Sequence, residues 1–62
     1  MFLKGDLVTW YWRVADSHRF ESETGVYLDT LRDDNGFVTY KVWTSKGIRY
    51  PKNYHGVARV QR

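Results

Sequence analysis

The 62-residue sequence has no cysteine, one proline and two histidines. Lack of cysteine excludes disulfides and thiolate metal sites, and His18 and His55 alone are too few ligands for a zinc site. No cofactor is therefore expected. A chain this short buries only about 60% of the surface its unfolded form exposes, so stability must come from packing or self-association. No apolar run is long enough to span a bilayer, and Met1-Phe2-Leu3 is followed at once by Lys4, Gly5 and Asp6, unlike a signal peptide. The expectation is a cytoplasmic protein, of a cell or an infected host cell, with no membrane partner. Helical periodicity, internal repeats, linkers and low-complexity tracts are also missing. One all-β domain over residues 1–62 is expected.

What is present is aromatic bulk: 3 Trp, 5 Tyr and 3 Phe, or 18% of residues. Such side chains dominate core energetics. The net charge of +3 permits contact with phosphates or an acidic partner.

Gly25 to Thr44 organises the chain: two runs rich in β-branched and aromatic residues, broken once at Asp33-Asp34-Asn35-Gly36. A three-residue loop of Asp34, Asn35 and Gly36 pairs Leu28 with Val42, Thr30 with Tyr40, Asp29 with Lys41 and Tyr27 with Trp43. A two-residue Asn-Gly loop would set apolar residues opposite polar ones. The longer loop is a type I turn followed by a left-handed residue, for which Gly36 is suited. Strand alternation then turns Val26, Leu28, Val38, Tyr40 and Val42 inward, and Tyr27, Asp29, Lys41 and Trp43 outward.

Around this hairpin, Met1 to Lys4 forms a short arm whose Phe2 and Leu3 dock. The first strand runs from Leu7 to Val14, with Val8, Trp10, Trp12 and Val14 on the core face and Trp12 near its edge. Ala15 to Glu23 reads as a long polar loop pinned by Phe20. Gly25, lacking a Cβ, allows a bulge or a close backbone approach. A second three-residue loop, Ser45-Lys46-Gly47, sets Ile48 opposite Thr44, Arg49 opposite Trp43 and Tyr50 opposite Val42. The short fourth strand stops at Pro51, Pro51-Lys52-Asn53-Tyr54 suits a 3₁₀ turn, and Val57 to Val60 is the last strand. Five short strands in this order describe a small barrel, whose closure removes exposed sheet edges.

Lys4-Gly5-Asp6-Leu7-Val8, Thr24-Gly25-Val26 and Tyr40-Lys41-Val42-Trp43, in this order, resemble the SH3-like small barrels, including KOW and Tudor-type domains, over roughly residues 4 to 60. The pattern is also similar to short proteins common in tailed-phage genomes. The resemblance implies a five-stranded barrel with a long first loop and a 3₁₀ turn before the last strand. Tyr50-Pro51-Lys52-Asn53-Tyr54 resembles the Pro-x-Asn-Tyr stretch of signalling SH3 domains, which implies Pro51 and Tyr54 as groove residues for a proline-rich peptide. The Ala-Leu-Tyr-Asp-Tyr segment and adjacent Trp-Trp pair of those domains are absent, so the likeness is taken as one of barrel geometry.

Enzymatic signals are poor. Asp16, Ser17 and His18 are chain neighbours whose side chains point apart in an extended loop and cannot form a relay. Asp33 and Asp34 are explained by turn chemistry. The glycines are scattered singly and build no phosphate loop. The reading is a non-catalytic binding module. Its candidate surface is the outward row Tyr27, Trp43 and Arg49, with Lys41 in the next row and Lys52 and Arg59 as supporting charges. Aromatics flanked by cations stack unpaired bases and hold phosphates, which makes nucleic acid the preferred partner. The same row could anchor a protein partner or self-assembly, or only stabilise the sheet through cross-strand aromatic contact. Lys52, Arg59 and Arg62 with Tyr54 and His55 form a second basic set, read as solvated surface.

Overall fold

The computed structural model describes residues 1–60, the side chain of Tyr54 excepted. Arg62 of the expected basic set lies outside the described residues. Five strands form one antiparallel sheet, β1 (Leu7–Arg13), β2 (Phe20–Arg32), β3 (Val38–Thr44), β4 (Gly47–Arg49) and β5 (Ala58–Arg59). Their spatial order is β4-β3-β2-β1-β5, and the sheet is not closed into a barrel. A 3₁₀ turn, Asn53–His55, precedes β5. No helix among the described residues is long and apolar enough to cross a membrane.

Alternation in β1 works as expected. Val8 and Trp10 are buried and Trp12 is half-buried against them, while Leu7 and Tyr11 face outward. The loop after β1 is shorter than expected, because Phe20 to Glu23 pairs with Arg13 to Trp10 as the first part of β2. These positions put Glu21 and Glu23 on the face of Trp12 and Trp10, so no apolar alternation marks the strand. The remaining turn is held by Val14 N–H donating to Arg19 O at 2.9 Å and by Arg13 Nε donating to Ser17 O at 2.9 Å. Phe20 is 61% exposed and does not anchor this segment in the core; its ring meets Tyr11 edge-on at 5.9 Å.

The β2–β3 turn is the one the sequence predicts. Gly36 N–H donates to Asp33 O at 3.0 Å, and Gly36 has φ 82°. Asp33 Oδ1 accepts from both Asn35 N–H and Phe37 N–H, which locks the turn. Asp29 faces Lys41 and Thr30 faces Tyr40, as expected. A bulge between Tyr27 and Asp29 then shifts the ladder by one residue. Beyond it, Tyr27 is opposite Val42 and Val26 opposite Trp43. One extra residue in a strand exchanges faces for everything beyond it, so Tyr27 turns inward and Val26 turns outward, against expectation.

The inner face is built on this shift. Val8, Trp10, Tyr27 and Val42 are buried, and Phe2, Trp12, Tyr40 and Val57 pack against them. Phe2 packs against the rings of Tyr27 and Tyr40, at 5.5 and 5.4 Å, so the N-terminal arm does dock, although Leu3 stays exposed. Leu28, at the bulge, and Val38 are half-buried. The Tyr27 backbone is held by Asp6 O and Gly5 N–H, and its hydroxyl bonds Thr30 Oγ1. Gly25 is needed because a Cβ there would lie 2.6 Å from Val42 Cγ1.

The β3–β4 turn holds two residues rather than three. Thr44 Oγ1 accepts from Lys46 N–H at 3.1 Å and donates to Gly47 O at 2.8 Å, so Gly47 already pairs with Thr44. That sets Ile48 opposite Trp43 and Arg49 opposite Val42, one residue from the expected register. Pro51 is buried and its carbonyl accepts from Tyr40 N–H at 2.9 Å, carrying the chain past the end of β3. β5 then pairs with β1 through Val8 and Thr9.

Candidate functional site

Register decides which side chains share the outer face. Leu7 is opposite Val26, Val26 opposite Trp43, and Trp43 opposite Ile48. Directly opposed residues lie on one side of a sheet, so these four form an apolar row across β1, β2, β3 and β4. Trp43 is its largest member and is 53% exposed; Leu7 and Ile48 are also exposed and Val26 half-buried. One neighbouring row holds Asp29 and Lys41. On the other side Thr24 Oγ1 donates to Thr9 Oγ1 at 3.3 Å, and Thr9 Oγ1 donates to Glu23 O at 3.1 Å.

This is not the surface the sequence suggests. Trp43 and Lys41 do lie outward, but the other two members are drawn away. Tyr27 is 7% exposed and belongs to the core, because the bulge reverses its face. Arg49 sits opposite Val42 because the turn is one residue shorter, and its Nε donates to Glu23 Oε1 at 3.3 Å. Of the supporting cations, Lys52 Nζ donates to Thr39 Oγ1 at 3.0 Å. Arg59 pairs with Asp6 at 3.1 Å and donates to Met1 O at 3.1 Å. Pro51 of the alternative groove is buried, and the Tyr54 side chain is outside the described residues.

The inner side has a different character. An open cleft of about 760 Å³ is lined by Trp10, Trp12, Glu21, Glu23, Arg49 and Tyr50 among others. The Arg49–Glu23 pair crosses it between strands that share no ladder. Partly exposed pairs of this kind contribute roughly 0–1 kcal/mol. Near the β1–β2 turn, Asp16 takes a left-handed φ of 59°, and Ser17 Oγ accepts from Arg19 N–H at 3.0 Å while His18 is exposed. Those three residues shape a turn. No group of three metal-ligating side chains occurs among the described residues.

Sequence reasoning missed Leu7, Val26 and Ile48 as surface partners of Trp43. A signal was present for Val26: Tyr27 and Leu28 are adjacent apolar residues, a break in alternation that a bulge accommodates. Thr44, whose hydroxyl can close a two-residue turn, was the corresponding signal for Ile48. No protein family, curated protein or solved structure matches the chain.

Proposed function

We propose that this chain is a non-catalytic binding module, with the strand path of an SH3-like small barrel, that docks a protein surface through its outer apolar row. The observation that carries this reading is the row Leu7–Val26–Trp43–Ile48, with a half-exposed tryptophan near its centre. Tryptophan is among the residues that anchor interfaces, and each such anchor commonly accounts for about 2 kcal/mol or more of binding. The SH3-like reading is supported by the pairing of β5 with β1 and by the 3₁₀ turn ahead of β5.

Nucleic acid, the partner preferred from the sequence, calls for cations beside the aromatic surface. Arg49 is instead engaged with Glu23, the row around Trp43 is aliphatic, and Lys41 in the neighbouring row is opposite Asp29. Placing a photocrosslinking phenylalanine analogue at position 43 in cells that make the protein tests the choice. The expected adduct is destroyed by protease and resists nuclease. A nuclease-sensitive adduct would overturn the reading.

A further inference from the structure

We infer that the protein surface covering this row is the same row of a second copy, the two sheets meeting face to face about a two-fold axis. The inference rests on the docking reading above and names its partner. Its first support is the smallness of the interior. Among the described residues Val8, Trp10, Tyr27 and Val42 form the buried hydrophobic core, whereas the exposed large hydrophobic side chains include Leu7, Tyr11, Phe20, Trp43 and Ile48. Chains of this size commonly need disulfides, a metal or oligomerisation to fold stably. This one has no cysteine, and its described residues hold no metal-ligating cluster. A partner that stabilises the fold must be present wherever the chain is, and another copy meets that condition.

The second support is the self-complementarity of the row. A two-fold axis lying between the two sheets, parallel to the strands and midway between Val26 and Trp43, sets Val26 against Trp43 of the other copy, and Leu7 against Ile48. The large indole thereby meets the small valine instead of a second indole. The same rotation lays each flanking row over its own counterpart. Asp29 of one copy comes over Lys41 of the other, and Lys41 over Asp29, so opposite charges meet. Faces of sheets pack about 10 Å apart, within reach of these side chains.

Sedimentation equilibrium of the purified full chain across a wide concentration range is the test. The expected result is a doubled mass that Trp43→Glu weakens by roughly thirty-fold or more in dissociation constant, with the circular dichroism spectrum unchanged. Should that variant lose its fold, cysteine pairs give the answer, since the chain has no thiol of its own. Mixing Leu7→Cys chains with Ile48→Cys chains under mild oxidation should give the mixed disulfide in excess over both symmetric ones. A single-chain mass at every concentration overturns the inference, as does the lack of a preference for the mixed disulfide. A protease-sensitive adduct at position 43 to a different protein would also overturn it while leaving the docking reading standing; a nuclease-sensitive adduct would remove both.

Discussion

The two faces of the sheet carry comparable apolar rows with different fates. Val8, Trp10, Tyr27 and Val42 are sealed beneath Phe2, Tyr40 and Val57, whereas Leu7, Trp43 and Ile48 are exposed and Val26 is half-buried. Local propensity does not separate them, since both are mixtures of aliphatic and aromatic residues suited to strands. The separation comes from what the connecting segments bring. The N-terminal arm and the Pro51 to Val57 segment bring Phe2 and Val57 onto the inner face. A single bulge at Leu28 then decides that Tyr27 is a core residue and Val26 a surface one.

Truncating the two rows should sharpen this contrast most. Trp10→Ala and Tyr27→Ala are each expected to cost about 3–5 kcal/mol in urea unfolding, as large aromatic deletions in cores do. Trp43→Ser, measured where the chain is monomeric, should stay within about 0.5 kcal/mol. Equal losses at Tyr27 and Trp43 would break the comparison. The seam between the faces is next. Gly25→Ala drives a methyl group against Val42 and the β3 backbone, and should cost roughly 1–3 kcal/mol by the same assay. Asp33→Ala removes the acceptor of two backbone N–H groups in the β2–β3 turn, with an expected loss of about 1 kcal/mol. The smallest effect belongs to the inner cleft. A double-mutant cycle on Glu23→Gln and Arg49→Met should return a coupling below about 1 kcal/mol that fades with added salt.

Much of the fold was legible because its signals are local. Gly36 after Asp33-Asp34-Asn35 specifies the β2–β3 turn, and the parity of Val8 and Trp10 specifies the inner face of β1. The Pro51-Lys52-Asn53-Tyr54 stretch pointed to the 3₁₀ turn, which forms at Asn53–His55. The rest depended on single-residue shifts whose causes are tertiary. Tyr27 is pulled inward by Phe2, a residue distant in sequence, and by Asp6 and Gly5 on its backbone. The hydroxyl of Thr44 shortens the next turn and takes Arg49 away from Trp43. The start of β2 was hidden because Glu21 and Glu23 occupy positions opposite tryptophans. Since the candidate site is defined by register across four strands, two such shifts were enough to replace two of its four members. Trp43 and Lys41 kept their outward positions.

Nuclear Overhauser contacts of the Tyr27 ring test the bulge most directly. The bulge predicts cross-peaks from that ring to the Val42 methyls and the Phe2 ring, and from the Trp43 indole to Val26 and Ile48. Cross-peaks between the Tyr27 ring and the Trp43 indole would contradict it, returning Tyr27 to the outer face and dissolving the apolar row.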